Sequence, residues 1–228
     1  MKKALIILSC VVVAGLAFAT AFLLTYDRER RVTEKPVLYV YSPQEQRLTV
    51  SVDVDGAIDT AYPAPDALET TDWGTQASWT VTASPDGTLT DACGRTYPSL
   101  FWDGPVGQES PEEGFVVARE DAVPFLEEKL ALLGLTDNEA ADFITYWAPR
   151  IHANEYTFVS FDASSYTAHA RYSFTDEAGA PVEPDTFIRV FMTIRQAEAT
   201  TQVREQAFGP TPQRTGLVAV EWGGTEEQ

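Results

Sequence analysis

Strict alternation of apolar and polar residues marks the β-strands of this chain. Every second residue from Arg47 to Asp55 is leucine or valine, which is typical of a strand with one buried face. Asp55-Gly56 then supplies the turn that ends the strand. The same alternation, or a short run of β-forming residues, predicts further strands at 37–41, 78–83, 88–90, 100–102, 156–161, 166–174, 186–195 and 216–222.

Turns and breaks separate these strands. Ser84-Pro85-Asp86-Gly87 has proline and glycine at the positions where a type I turn favours them, which predicts a hairpin. Asp103-Gly104-Pro105 is expected to end the strand at 100–102. Residues 57–72 are rich in Ala, Pro, Asp and Thr and are expected to form an irregular surface segment.

Helical periodicity occurs only in the middle of the chain. Asp121 is a candidate N-cap for a first helix, whose apolar residues recur at three- and four-residue spacings until Gly134. Thr136 and Glu139 form a capping box at the start of a second helix, which is expected to end before Pro149. These two helices predict a helical hairpin that packs on the sheet.

Together these elements predict one α+β domain over residues 36–224. The strands that follow the hairpin are not separated by helices of the length that a βαβ unit requires. The sheet is therefore expected to be mainly antiparallel, as a single sheet or as a sandwich, with the helical hairpin at its centre.

The first 25 residues are predicted to form an N-terminal transmembrane helix. Residues 4–24 carry no charge and would make a helix of about 31 Å, close to the thickness of a bilayer core. Two alternatives remain: Ala17-Phe18-Ala19 fits a signal-peptide cleavage site, and Cys10 lies in a segment that resembles a lipidation motif. The apolar run continues beyond both sites, which favours an uncleaved anchor followed by a polar stalk at 26–35.

Charge indicates where the domain lies. The chain has 34 acidic and 16 basic residues, and its formal net charge of −18 becomes −20 without Lys2 and Lys3. The basic residues on the two sides of the apolar run are nearly balanced, but so acidic a domain is easily tolerated outside the cell. We therefore expect a single-pass protein of the cell membrane whose domain lies outside the cytoplasm. The same acidity argues against nucleic acid as a partner.

Seven short segments form a recognisable set along the domain. They are KPVLYVY at 35–41, PDGTL at 85–89, GR at 94–95, LFWDG at 100–104, DFI at 142–144, YW at 146–147 and VEWGG at 220–224. Together they resemble an uncharacterised family of bacterial proteins over residues 35–224. The family pattern has proline directly after the opening tyrosine, whereas this chain has Ser42 before Pro43. The resemblance implies one coherent domain and assigns no activity, cofactor or catalytic residue.

Two motifs resemble known functional sites without completing them. Residues 51–62 follow the spacing of an EF-hand loop, but the twelfth position is Tyr62, where calcium binding needs a glutamate. The segment around Cys93 resembles the active-site strand of a sortase, but His152 and His169 both follow the cysteine, whereas the sortase histidine precedes it. We therefore expect no metal ion and no cofactor, and we expect Cys93 to be a small, half-buried cysteine without a partner.

Two acidic residues stand next to tryptophans at the ends of predicted strands. Asp103 follows Trp102, and Glu221 precedes Trp222. Glycosidases use two carboxylates, and an aromatic platform can hold the sugar between them. These four residues are therefore candidates for a binding or catalytic site, although tryptophans more often belong to the core.

A second group of candidates lies at the end of the second predicted helix. Tyr146, Trp147 and Arg150 follow one another there, close to His152. Tryptophan, tyrosine and arginine are the residue types that dominate binding hot spots. These residues are candidates for contacts with a partner.

The sequence thus predicts a binding or interaction module of the cell envelope, tethered to the membrane, with an unknown ligand or protein partner. The candidate binding residues are Trp102, Asp103, Tyr146, Trp147, Arg150, Glu221 and Trp222. The alternative is a small envelope hydrolase that acts on sugar or peptidoglycan through acids such as Asp103 and Glu221. The alternative requires these two acids to share a cleft that tryptophan lines.

Overall fold

A computed structural model describes residues 30–107 and 109–227. Within these residues the chain forms fourteen strands, three α-helices and one 3₁₀ turn at Arg119–Asp121. The strands are β1 (Arg30–Tyr41), β2 (Gln46–Val54), β3 (Thr60–Tyr62), β4 (Ala67–Thr70), β5 (Thr75–Ala83), β6 (Leu89–Thr90), β7 (Thr96–Tyr97), β8 (Leu100–Gly107), β9 (Glu113–Ala118), β10 (Tyr156–Phe161), β11 (Ala170–Asp176), β12 (Thr186–Ala197), β13 (Arg204–Glu205) and β14 (Val218–Glu227). The helices are α1 (Ala122–Leu132), α2 (Asp137–Ile151) and α3 (Ser164–His169).

The strands form two sheets. Eight strands make the larger sheet in the order β13-β9-β10-β12-β14-β1-β8-β3, and β11-β2-β5-β6-β7 make the smaller one, with β4 beside β5. Most neighbours are antiparallel, as the sequence predicts, but β12 and β14 run parallel along ten residue pairs, and β9 and β13 are also parallel. The α+β class with a sheet-rich core is confirmed, and the larger sheet is mixed.

Two hydrophobic cores lie on opposite faces of the larger sheet. The first packs this sheet against the smaller one through residues such as Leu38, Trp102 and Val50. The second packs it against α1 and α2 through residues such as Trp147 and Trp222. The central strands β1 and β14 are therefore buried on both faces over residues 37–40 and 218–222, which explains why these stretches are rich in apolar residues.

The helical hairpin forms where the sequence predicts it. Thr136 and Glu139 make both hydrogen bonds of the capping box, whereas Asp121 precedes α1 without a side-chain cap. The expected end of the second helix before Pro149 is wrong, because α2 continues to Ile151.

Three further predictions are corrected. Asp103-Gly104-Pro105 does not end a strand, because β8 runs through these residues to Gly107. Residues 57–72 contain the short strands β3 and β4. Residues 166–169 belong to α3, so the strand predicted at 166–174 starts only at Ala170.

The predicted membrane anchor at 1–25 lies outside the described residues. The predicted stalk lies partly inside them, and residues 30–35 are part of β1, paired with β8 and β14. Among the described residues, the helices are too short and too polar to cross a membrane.

Candidate functional site

Four of the seven candidate binding residues lie inside the protein. Trp102, Trp147, Trp222 and Glu221 are each at most 1% exposed. Trp102 belongs to the core between the two sheets, and Trp147 and Trp222 belong to the core beneath the helices. A ligand that docks on the surface of the folded domain does not contact these side chains.

Glu221 is the centre of a buried hydrogen-bond network between the sheets. Arg189 Nε donates to Glu221 Oε2 at 2.6 Å, and the Tyr166 hydroxyl donates to Oε1 at 2.6 Å. Arg189 also donates to the carbonyl of Ala170 at 3.1 Å. Burial by itself would lower the pKa of Arg189, but the adjacent Glu221 carboxylate outweighs it and raises that pKa. Glu221 therefore forms an internal ion pair with Arg189.

Asp103 lies on the opposite face of the larger sheet. Its neighbour Trp102 packs between the sheets, so the alternation of β8 turns Asp103 toward the helices. There its charge acts on Tyr146 of α2. Because Glu221 points into the core between the sheets, Asp103 and Glu221 do not share a cleft, and these two acids do not form the pair that the hydrolase alternative requires.

Asp103 belongs to a half-buried group that we name the bulge cluster: Glu34, Lys35, Asp103, Tyr146 and Arg150. The Tyr146 hydroxyl donates to Glu34 Oε2 at 2.8 Å, and Arg150 Nη2 lies 3.2 Å from the same oxygen. Arg150 and Lys35 lie 3.8 and 4.8 Å from the centroid of the Tyr146 ring. Burial, and then the hydrogen bond to Glu34, raise the pKa of Tyr146. These contacts join β1 to the end of α2.

Two features of the bulge cluster are unusual. Lys35 has a φ of 52°, which few residues other than glycine adopt, and it lies in a β-bulge between Glu34 and Val37. Asp103 Oδ1 is buried without a hydrogen-bond partner within the described part of the chain.

Glu34 and Lys35 fall in the predicted stalk, so the sequence pattern does not identify them. Since Glu34, Arg150 and Lys35 already surround Tyr146, the cluster secures α2 on β1 rather than presenting a free aromatic surface.

Both motifs that resemble known sites begin on strands of the smaller sheet. Asp53 accepts a hydrogen bond from the Thr71 hydroxyl, and Asp55 lies 3.1 Å from Nδ1 of His169. The residues that the structure describes contain no group of three or more side chains arranged to hold a metal ion. The expected half-burial of Cys93 is wrong: its side chain is exposed, because it lies on a turn where Asp91 accepts its backbone N–H.

A different surface is open along one edge of the larger sheet. The backbone N–H of Arg119 donates to the carbonyl of Glu155 at 3.0 Å, which fixes the phase of the β9–β10 ladder. In an antiparallel pair, alternate residues bond to the partner and the residues between them face away. Val116 therefore directs its backbone N–H and C=O away from β10, and Ala118 directs its N–H away, while the Ala118 carbonyl accepts the first bond of the 3₁₀ turn that it caps.

The outward-facing backbone groups of Val116 and Ala118 line a groove. We name it the β9 groove: its floor is the strand segment Gly114–Ala118, one wall is Phe125 and Lys129 of α1, and the other is Val203 together with Glu205 of β13. Its volume is about 400 Å³. The short strand β13 pairs only with Glu113 and Gly114, so the remainder of this edge has no strand beside it within 109–227.

The sequence contains a signal for β9. Gly114-Phe115-Val116-Val117-Ala118 is a short apolar run with two valines, bounded by the charged residues Glu113 and Arg119. Such a run predicts a strand, but nothing local in it predicts an edge position. The edge results from the long-range pairing of β9 with β10 alone over residues 115–118.

Comparisons with known proteins returned no relative: no protein family, no curated protein and no solved structure matches this chain.

Proposed function

We propose that this protein is a membrane-tethered binding module of the cell envelope, and that it binds an extended, basic polypeptide segment along the β9 groove. The observation that carries the proposal is the pair of outward-facing backbone positions, Val116 and Ala118, on the floor of that groove.

An exposed sheet edge can receive an additional strand. In this mode of recognition, main-chain hydrogen bonds supply affinity, and side-chain contacts on alternate residues supply specificity. The four residues 115–118 of the edge span roughly 13 Å at about 3.3 Å per residue. The bound segment therefore has a core of about four to five residues. Phe125 and Val203 line the groove and supply apolar contacts for its side chains.

The charges around the groove favour a basic segment. Asp121 and Glu205 line it and are exposed, with no ion-pair partner among residues 30–107 and 109–227. The basic residue of the groove, Lys129, lies 2.8 Å from Glu128 and over the Phe115 ring. With a net charge of −18 for the whole chain, long-range attraction also brings a cationic partner toward the domain.

The sequence supports the tether and the location. Residues 4–24 are long and apolar enough to span a bilayer, and the acidic domain follows them. Mass spectrometry of the mature N-terminus tests the anchor: we expect residues 1–25 to be retained. A mature chain that begins at Thr20 would contradict the tether without affecting the groove.

Strand addition can be tested with a defined probe. The probe is a capped nine-residue peptide that alternates lysine and valine, and its affinity is measured by fluorescence anisotropy with the full chain in a nonionic detergent. Val116→Pro removes the outward N–H and leaves the ladder to β10 intact, since proline is tolerated on edge strands where the N–H faces outward. We expect Val116→Pro to weaken binding at least about tenfold, because one main-chain bond and the strand geometry are lost.

Two controls separate strand addition from plain charge attraction. Val116→Thr keeps the N–H and the β-branched shape, so it should bind as the wild type does. A peptide with the same side chains but methylated backbone nitrogens keeps the charge and loses the main-chain donors, so it should bind weakly. If the methylated peptide binds as tightly as the unmodified one, or if Val116→Pro binds normally, the proposed function is wrong.

A further inference from the structure

A second cavity lies on the other side of β13 from the β9 groove. Its lining includes Glu112, Glu113, Ser160, Asp162, Arg204 and Gln206, and its volume is about 330 Å³. We name it the Ser160 cavity. It lies at the end of β9 and β10, where the ladder between these strands stops at the pair Phe115 and Val159.

Some of the lining groups already have partners. The side-chain amide of Gln206 accepts from the backbone N–H of Phe161 at 2.9 Å and donates to its carbonyl at 2.7 Å, as a neighbouring strand would. Arg204 Nη2 lies 2.6 Å from Glu113 Oε1. These contacts occupy Gln206, Arg204 and one oxygen of Glu113, and leave the other lining groups to face a ligand.

Ser160 is the unusual member of the lining. Its side chain is fully buried, and its Oγ has no hydrogen-bond partner among the described residues. Buried hydroxyl groups almost always have a partner, because a hydroxyl that leaves water without gaining a hydrogen bond is destabilising. An orphan hydroxyl in the wall of a polar cavity therefore points to a ligand that completes it.

The remaining free groups are carboxylates. Asp162 Oδ1 accepts from the backbone N–H of Ser164 at 2.8 Å, which leaves Oδ2 for another donor. Glu112 is exposed and has no ion-pair partner within 109–227. Three carboxylates and one guanidinium group line the cavity, so its lining is net negative.

We propose that the Ser160 cavity binds a primary ammonium group. An ammonium group carries one positive charge and three N–H donors and has no acceptor. The lining offers acceptors for these donors, among them Ser160 Oγ, Asp162 Oδ2 and the Glu112 carboxylate. This inference stands apart from strand addition at the β9 groove, because its groups and its cavity are different.

The ammonium group has two possible sources. One is a lysine side chain of a polypeptide, including a polypeptide bound in the neighbouring groove, and the other is a small free amine. Two probes represent them: Nα-acetyl-lysine N-methylamide for the side chain, and cadaverine for the free amine. Nα,Nε-diacetyl-lysine N-methylamide keeps the shape and removes the charge and is the matched control ligand.

Binding is measured by isothermal titration calorimetry on the full chain in a nonionic detergent. We expect at least one ammonium probe to bind saturably and the diacetyl probe not to bind. Ser160→Ala and Asp162→Asn should each weaken binding at least about fivefold, since each loses a hydrogen bond to a charged group. Ser160→Ala removes a hydroxyl that has no partner in the free protein, so the variant is expected to fold. Glu127→Gln, on α1 and outside the cavity, should bind as the wild type does.

Each outcome has a defined meaning. Binding of the lysine probe alone assigns the cavity to polypeptide side chains, and binding of cadaverine alone assigns it to free amines. If neither ammonium probe binds, if the diacetyl probe binds equally well, or if Ser160→Ala and Asp162→Asn bind normally, the proposal is wrong. The groove is unaffected by that result, because Val116→Pro tests it separately.

Discussion

Removing the charge of Glu221 is predicted to destabilise the domain severely. Glu221→Gln keeps the volume of the side chain but leaves Arg189, whose side chain is only 15% exposed, without its counter-charge, which lies 2.6 Å away in the wild type. Breaking a buried ion pair in this way costs about 3–5 kcal/mol, a large part of the roughly 5–15 kcal/mol that stabilises a typical domain. The Tyr166 hydroxyl also loses a charged acceptor, which acts in the same direction.

Urea denaturation of the full chain in a nonionic detergent measures this effect. All five tryptophans belong to the domain, so their fluorescence reports its unfolding. The control is Glu113→Gln, which removes an equally short but exposed ion pair to Arg204 and should cost less than about 1 kcal/mol. Replacing both members of the buried pair, as Glu221→Leu with Arg189→Met, should cost less than Glu221→Gln, because no charge is left buried alone. A Glu221→Gln variant within 1 kcal/mol of wild type, on the scale of an exposed pair, would refute the reasoning.

Three further predictions concern the core, the helical hairpin and alkaline pH. Gly224→Ala should lower the free energy of unfolding by about 1–3 kcal/mol, because its Cβ would lie 2.6 Å from the Trp147 ring. The control is Gly209→Ala, which should be neutral in the same urea titration because no atom lies within 4 Å of its Cβ. Thr136→Ala removes the capping box and should cost about 0.5–2 kcal/mol, and an unchanged denaturation midpoint would contradict this. Burial raises the pKa of Tyr166 above its value in the unfolded chain. The contribution of Tyr166 to the free energy of unfolding should therefore be fully present below pH about 10 and fall as the pH rises further. A urea midpoint that stays level above that pH contradicts this.

Local sequence patterns predict the secondary structure well where residues adjacent in the chain decide the conformation. The alternation at 47–55 and the capping box at Thr136 both appear in the structure, because each depends only on neighbours in sequence. The sequence predicts that the strand at 100–102 ends at Asp103-Gly104-Pro105, because glycine and proline form turns in most contexts. In this fold Gly104 lies so close to the backbone of Ala57 that a Cβ would clash with the Ala57 carbonyl oxygen, so long-range packing decides the conformation.

The candidate site was predictable only in part, for a similar reason. Residue types indicate Tyr146 and Arg150, which do meet in the half-buried bulge cluster, but they also indicate Glu221 and Trp222, which are buried. A tryptophan next to an acid looks the same in sequence whether it lines a cleft or a core. The open edge of β9 depends on which strands pair with which, and this information is not present in any short segment of the chain.

Amide hydrogen exchange at β9 tests the central proposal most directly. In the free protein the Val116 amide faces away from β10 and should exchange quickly, whereas the Val117 amide, which bonds to β10, should be protected. Adding the lysine–valine peptide should slow exchange at Val116 and Ala118 and leave Val117 unchanged. Equal exchange at Val116 with and without saturating peptide would contradict strand addition at this edge.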